Sequence, residues 1–218
     1  MDRIFANRTE AGRALARHLR AYAKRPDVVV LALPPGGVPV AWEVAAALEA
    51  PLDLLMVRKL GVPWQEELAM GALASGGALY VDHALMREAA VGEPEFAQAL
   101  AAARLELARR EILYRAARPA VDVTARVAIV VDDGMATGAT LLAAVRALRG
   151  HAPAKIVAAL PVAPHDARAR LGDAIDEFVC VMTPRVFFSV GQFYDDFAET
   201  TDDDVRALLA SAFRPPQP

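Results

Sequence analysis

Cysteine is almost missing from this sequence. Cys180 is the single cysteine in 218 residues, so no disulfide can form within the chain. A lone thiol is typical of a reducing compartment, and the opening residues, MDRIFANRTEAG, lack the apolar core of a signal peptide. No apolar run approaches the ~18 residues that a membrane span requires. We therefore expect a cytoplasmic protein without a membrane partner.

A strong charge of one sign is also absent. The chain has 24 Lys and Arg residues and 27 Asp and Glu residues, which leaves a formal net charge of −3. Such a chain has no overall basic field that would hold nucleic acid. Apolar residues make up 55% of it and charged residues 23%, a balance typical of a folded globular protein. We predict a single domain over residues 1–218 and no nucleic-acid partner.

Strand and helix patterns alternate along most of the chain. Asn7 and Glu10 have capping-box spacing, which predicts a first helix to about Lys24, and Thr201 and Asp204 repeat this spacing before a last helix. Strands are predicted at 27–33, 52–57, 127–132, 155–160 and 176–182, with helices at 38–49, 139–149 and 165–171. This order predicts an α/β fold with a mostly parallel, doubly wound sheet.

Two stretches depart from this alternation. Residues 58–82 are rich in glycine and charge, and we predict a mobile loop that leads into short strands near 68–73 and 78–82. Residues 84–118 are rich in alanine, arginine and glutamate, which predicts a helical excursion that is broken near 92–94. The excursion is either a solvated surface with i,i+4 ion pairs or a lid or dimer surface.

The strand predicted at 127–132 ends in an unusual turn. Asp132 and Asp133 follow five consecutive apolar residues, and the turn GMATGAT leads directly into a helix. Ligands bind at the carboxyl ends of strands in open α/β sheets, and a helix amino terminus behind small turn residues favours a phosphate. Two carboxylates beside a phosphate site suit sugar hydroxyls or a magnesium ion. The alternative is that they only cap the helix in a solvated turn.

This string, IVVDDGMATGAT, resembles the phosphoribosyl pyrophosphate (PRPP) signature of the type I phosphoribosyltransferases. The resemblance implies that Asp132 and Asp133 hold the 2- and 3-hydroxyls of the ribose. It implies that Mg²⁺ is bound mainly through PRPP, with the same two aspartates as further candidate ligands. Gly134 departs from the family pattern, in which an apolar residue is commoner. The residues implied to enclose the 5-phosphate are Ala136, Thr137, Gly138, Ala139 and Thr140.

An earlier sharp turn, LPPGGVPVA, ends the strand predicted at 27–33; we call it the first corner, and the turn GMATGAT the second corner. The corresponding loop of the family binds pyrophosphate through backbone amides, so the resemblance implies a pyrophosphate site at Pro35, Gly36, Gly37 and Val38. We attribute the two glycines to unusual dihedral angles and close backbone approach. Pro35 stands where family members often carry a basic residue, and it removes both a charge and an N–H donor. A purely structural tight turn is the alternative.

Arg58 and Lys59 follow the strand predicted at 52–57, where the resemblance places cations that reach the pyrophosphate, sometimes across a dimer interface. We interpret them, with Trp64, as part of a flap that closes over the site and excludes water. A solvated pair of charges is the alternative. The strings RKLGVPWQEELAMGA and TPRVFFSVGQFYDDF also resemble a bacterial branch of predicted phosphoribosyltransferases without a settled acceptor, and with that branch the resemblance covers residues 5–210.

The resemblance places the acceptor under a small hood, which we assign to residues 183–200. Aromatic rings in this hood segment either stack on a planar heterocycle or pack the segment onto the sheet. The four candidate rings are those of Phe187, Phe188, Phe193 and Tyr194.

The function that these interpretations imply is Mg²⁺-dependent phosphoribosyl transfer from PRPP to an unidentified nitrogen acceptor, with release of pyrophosphate. A homodimer is expected from the family. A PRPP-sensing protein without turnover is the second hypothesis, and Pro35 favours it. A phosphate-ester hydrolase that uses the two aspartates is the third, but it does not explain the Gly-Gly corner.

Overall fold

The structure is a computed structural model that describes residues 4–115 and 120–212, apart from the side chains of residues 66 and 67. Helices and strands alternate along most of it. In chain order they are α1 (Arg8–His18), β1 (Val28–Ala32), α2 (Gly37–Leu48), β2 (Leu52–Leu54), β3 (Val57–Val62), β4 (Gln65–Ala74), β5 (Leu79–Val81), α3 (His83–Glu88), α4 (Glu93–Arg115), β6 (Val127–Val131), α5 (Ala139–Leu148), β7 (Lys155–Val162), α6 (Ala167–Leu171), β8 (Glu177–Met182) and α7 (Asp202–Ser211).

Five parallel strands form the central sheet, in the spatial order β2-β1-β6-β7-β8. Every residue of β1 and β6 is buried, because helices cover both faces of the sheet. Residues of α2 belong to the core on one face and residues of α5 to the core on the other. The predicted parallel, doubly wound α/β fold is therefore confirmed.

A second, antiparallel sheet of three strands replaces the predicted loop. β3 pairs with β4 and β4 pairs with β5, so residues 58–62 and 65–67 are strand and the prediction of a loop there is wrong. The period of two was hidden by glycine and charge, yet Leu60 and Val62 alternate with more exposed residues and are buried. The strands predicted near 68–73 and 78–82 are β4 and β5.

The helical excursion is α3 and α4, and the break predicted near 92–94 lies slightly earlier, at residues 89–92. Its predicted end at 118 lies outside the described residues, as does the tail at 214–218. At its carboxyl end Arg115 is buried and donates to both carboxylate oxygens of Asp53, at 2.5 and 2.6 Å. Across 4–115 and 120–212, no helix combines the length and the hydropathy needed to cross a lipid bilayer.

The predicted capping boxes lie at real helix starts. The Asn7 side chain accepts a hydrogen bond from the Glu10 amide, and Thr201 and Asp204 cap α7 reciprocally. The residues just before α1 pair with the hood segment, since the Phe5 amide donates to the Phe193 carbonyl at 2.8 Å. The amino-terminal turn and the hood segment thus lie together beside the sheet.

Candidate functional site

The two corners lie side by side at the carboxyl edge of the central sheet. β1 and β6 are neighbours, with Ala32 opposite Val131, so the loops that follow them leave the same edge. From β1 the chain continues to β2 on one side, whereas from β6 it continues to β7 on the other. This is the topological switch point at which open α/β sheets bind ligands.

The glycines of the first corner are required by close approach. A Cβ atom on Gly36 would overlap Oδ2 of Asp133, and one on Gly37 would lie 2.7 Å from the Val131 carbonyl oxygen. The expectation of unusual dihedral angles is wrong, because Gly36 has φ −63° and Gly37 lies in a regular helical turn. The two corners therefore contact each other through backbone and carboxylate atoms.

The phosphate loop, which we define as residues 134–141, is open to an anion. Gly138 is the N-cap of α5 with φ +83°, a conformation that favours glycine. The loop lines a cavity of about 240 Å³, together with Asp132 and Val190. Because the positive end of α5 faces the loop, an anion is favoured there. Six loop amides have no hydrogen-bond acceptor among the described residues, those of Gly134, Ala136, Thr137, Gly138, Thr140 and Leu141.

The acid pair, Asp132 and Asp133, lies between the two corners. Burial raises the pKa of Asp132 well above its usual range, and the neighbouring Asp133 carboxylate raises it further. Burial also raises the pKa of Asp133, although Arg8 opposes this shift. Within residues 4–115 and 120–212, Asp133 forms an ion pair with Arg8, whereas the half-buried Asp132 forms none.

Arg8 is the site residue that sequence reasoning missed. Its Nε and Nη2 atoms both lie 2.9 Å from Oδ2 of Asp133. Arg8 stands immediately after the N-cap Asn7, in a helix that precedes every recognised motif. No local pattern points to it, because its contact with Asp133 spans 125 residues of sequence.

The first corner offers fewer donors than the sequence predicted. The Gly37 amide donates to the Leu33 carbonyl at 3.0 Å, and the Val38 amide donates to the Pro35 carbonyl at 3.2 Å. Pro35 is exposed and has no N–H group. Among the described residues nothing accepts from the Gly36 amide. Of the predicted pyrophosphate donors, this amide is therefore the one that remains available to a ligand.

Arg58 and Lys59 lie on β3 and do not line the phosphate-loop cavity. Arg58 Nη2 donates to Glu106 Oε1 of α4 at 2.5 Å, and this hydrogen bond lowers the pKa of Glu106. Lys59 is exposed. Both residues line a separate cavity of about 470 Å³ between β3 and α4. The structure therefore does not bring these two cations to the acid pair.

Two of the four hood aromatics belong to the core. Phe193 and Tyr194 are buried with Phe5, and Tyr194 donates its hydroxyl to the Asp133 carbonyl at 2.6 Å. Phe187 packs on Phe193 with ring centroids 5.4 Å apart. Phe187 is half-buried, whereas Phe188 is 85% exposed. The packing alternative therefore holds for Phe193 and Tyr194.

The acid pair supplies carboxylate oxygens, which are ligands that Mg²⁺ accepts. Within residues 4–115 and 120–212 no group of three or more His, Cys, Asp or Glu side chains is placed to hold a metal. Mg²⁺ commonly binds through one or two carboxylates and substrate phosphates rather than through an all-protein cage. Asp132 is the better candidate of the pair, since Asp133 already accepts from Arg8.

Comparison with known proteins yields one family. The family model described as "Phosphoribosyl transferase domain" matches residues 1–197. Two proteins from strains of Mycobacterium tuberculosis, each named "Putative phosphoribosyl transferase", are 45% identical over 212 residues. That alignment covers 97% of this chain and 48% of those proteins, so the chain spans about half their length. The crystal structure of TT1426 from Thermus thermophilus has 39% identity and a TM-score of 0.86, covering 94% of this chain and 97% of that one.

Proposed function

Because the chain belongs to the phosphoribosyltransferase family, we propose that it transfers the phosphoribosyl group of PRPP to a nitrogen acceptor and releases pyrophosphate. The observation that carries this proposal is the contact between the two corners. Gly36 lies against Asp133, and Asp132 lines the phosphate-loop cavity. One ligand with phosphate at one end and diphosphate at the other would meet both corners.

The phosphate loop would bind the 5-phosphate of PRPP. Its free amides and the hydroxyls of Thr137 and Thr140 are donors, and the α5 amino terminus adds positive potential. Asp132 and Asp133 would accept hydrogen bonds from the ribose 2- and 3-hydroxyls. The amide of Gly36 would face the diphosphate. Each part of the ligand then meets groups of complementary charge or hydrogen-bonding type.

The reaction needs no nucleophile from the protein. The bond between C1 of the ribose and the pyrophosphate oxygen breaks, and its electron pair leaves with pyrophosphate. The acceptor nitrogen supplies the pair for the new C1–N bond and loses its proton. Positive charge develops on the sugar in such an oxocarbenium-like transition state, and the acid pair would stabilise that charge. Bound Mg²⁺ would supply charge neutralisation on the diphosphate.

The finer parts of this proposal concern the acceptor and the assembly. A nucleobase-like heterocycle could stack on the exposed ring of Phe188. Arg58 would reach the diphosphate only after leaving Glu106, or from a partner subunit. We propose a cytoplasmic homodimer as the working form.

A PRPP-sensing protein without turnover is the second candidate. The amides of Gly37 and Val38 are occupied within their own turn, and Arg58 is paired with α4. These contacts weaken the pyrophosphate end of the site while leaving the phosphate loop open. Such a site would bind PRPP and retain it.

Incubation of the protein with PRPP, Mg²⁺ and a panel of nitrogen heterocycles tests the proposal. We expect pyrophosphate to form with one class of acceptor and a phosphoribosyl product of matching mass to appear. Asp132→Asn with Asp133→Asn should abolish both pyrophosphate formation and PRPP binding, because neutral amides would replace the carboxylates that accept charge-assisted hydrogen bonds from the ribose hydroxyls.

The outcomes separate the two candidates. Tight binding of PRPP in calorimetry, with no pyrophosphate from any acceptor in the panel, would favour the sensor. Binding of PRPP that survives the double substitution unchanged would contradict the site assignment itself.

A further inference from the structure

Arg8 connects three parts of the site that are distant in sequence. Its Nε and Nη2 atoms hold Oδ2 of Asp133, each at 2.9 Å, and its Nη1 atom donates to the Ala198 carbonyl at 2.6 Å. The guanidinium also lies over the Phe197 ring, 4.0 Å from the centroid. Arg8 therefore joins the start of α1, the acid pair and the hood segment.

The ion pair between Arg8 and Asp133 is shielded from water. The two side chains are 12% and 14% exposed. A charge-assisted pair in such surroundings is short and directional, and its loss leaves a poorly solvated charge behind. Oδ2 of Asp133 also lies against Gly36. The position of this carboxylate is thus restrained both by Arg8 and by the first corner.

The hood segment meets the same residues through backbone contacts. The Asp195 amide donates to the Phe5 carbonyl at 2.8 Å, and the Asp196 amide donates to the Ala6 carbonyl at 3.0 Å. The Tyr194 hydroxyl donates to the carbonyl of Asp133. Movement of the hood segment away from the sheet would break these bonds and pull on Arg8.

We propose that Arg8 is a positioning residue that holds the Asp133 carboxylate for ribose and couples ribose binding to the docking of the hood segment. The inference rests on the proposed function, in which Asp133 binds the ribose hydroxyls. Coupling of this kind is reciprocal: a docked hood segment orders Asp133, and ribose bound at Asp133 stabilises the docked hood segment.

Ribose 5-phosphate and inorganic phosphate are the probes for the ligand-bound test, by calorimetry. Arg8→Ala should weaken ribose 5-phosphate binding roughly ten-fold or more, in keeping with the loss of hydrogen bonds to a charged group. Arg8→Lys should recover part of that loss. Binding of inorganic phosphate should stay unchanged, because no hydrogen bond joins Arg8 to the phosphate loop. Arg13→Ala is the matched control, because Arg13 lies on α1 like Arg8 but forms an exposed ion pair with Glu43.

Two results of this test would overturn the proposal. One is ribose 5-phosphate binding to Arg8→Ala with wild-type affinity. The other is an equal loss of ribose 5-phosphate and inorganic phosphate binding without recovery by lysine, which is the signature of a structural role alone.

A ligand-free measurement keeps this inference separate from the proposed function. Hydrogen exchange at the amides of Asp195 and Asp196 should accelerate in Arg8→Ala and also in Asp133→Asn, but not in Arg13→Ala. If wild-type protein binds no ribose 5-phosphate, the proposed function fails. The exchange data then decide alone whether Arg8 and Asp133 hold the hood segment in its docked position. Unchanged protection in both Arg8→Ala and Asp133→Asn would refute it.

Discussion

Three glycines of the two corners lie where a Cβ atom would meet another part of the chain. Gly36 and Gly37 lie against the acid pair, and Gly134 lies against the hood segment. A Cβ atom on Gly134 would be 2.5 Å from Cγ1 of Val190 and 3.1 Å from Cγ1 of Val162. This packing explains why the sequence departs from the family pattern at Gly134, since a larger residue would displace the hood segment.

Gly134→Ala should therefore destabilise the protein by about 1–3 kcal/mol, the usual cost of overpacking a tight site. Urea unfolding measures this change. Val190→Ala in the same chain removes the clashing methyl groups and should restore most of the stability. Equal stability of Gly134→Ala and wild type would show that the hood segment yields freely at this point.

At the scale of the elements, one buried ion pair joins the helical excursion to the central sheet. Asp53 of β2 accepts from Arg115 at the end of α4 and also from the amides of Leu54 and Val121, at 2.8 and 2.7 Å. Both charged side chains are less than a tenth exposed. Arg115 also donates to the Leu54 carbonyl at 2.6 Å. This contact fixes the carboxyl end of α4, whose other buried residues, Ala103 and Leu107, lie further toward its amino end.

Asp53→Asn should cost about 3–5 kcal/mol of unfolding free energy, because it leaves the Arg115 charge buried without a counter-charge. Chemical denaturation gives the value. Asp27→Asn is the matched control, since it breaks an exposed ion pair with Arg25 and should therefore cost much less. A similar loss of unfolding free energy in the two variants would mean that the ion pair of Asp53 and Arg115 stabilises the fold no more than a surface ion pair does.

At the scale of the whole molecule, the strand order decides that the corners meet. β1 and β6 are separated by 94 residues between Ala32 and Val127. They are nevertheless neighbours in the sheet, with β2 on the far side of β1 and β7 on the far side of β6. The intervening chain forms the antiparallel sheet and the helical excursion. A ligand that spans both corners should therefore stabilise the folded chain as a unit.

PRPP with Mg²⁺ should raise the melting temperature by roughly 5–10 °C at a hundred-fold excess over its Kd, because binding at that excess adds about 2.7 kcal/mol to the stability of a chain of this size. Differential scanning calorimetry checks the shift. The protein with Asp132→Asn and Asp133→Asn should show no such shift. A rise of equal size in that variant would place the ligand elsewhere.

Local sequence patterns were sufficient to predict those features that depend on interactions between neighbouring residues. Alternation of strands and helices, the two capping boxes and the small residues of the phosphate loop were all predicted from neighbouring residues, and the fold was confirmed. The loop predicted at 58–67 was wrong because glycine and charge obscured a two-residue period whose apolar members, such as Leu60, find their partners on other elements.

A parallel α/β sheet with two glycine-containing corners at strand ends followed from the sequence alone, because backbone preference and burial act over a few residues. Only the tertiary structure decided that Gly36 lies against Asp133, that Arg8 holds that carboxylate and that Arg58 pairs with α4 instead. Those contacts join residues 48 to 125 positions apart. They follow from strand order and close packing, which no short stretch of sequence carries.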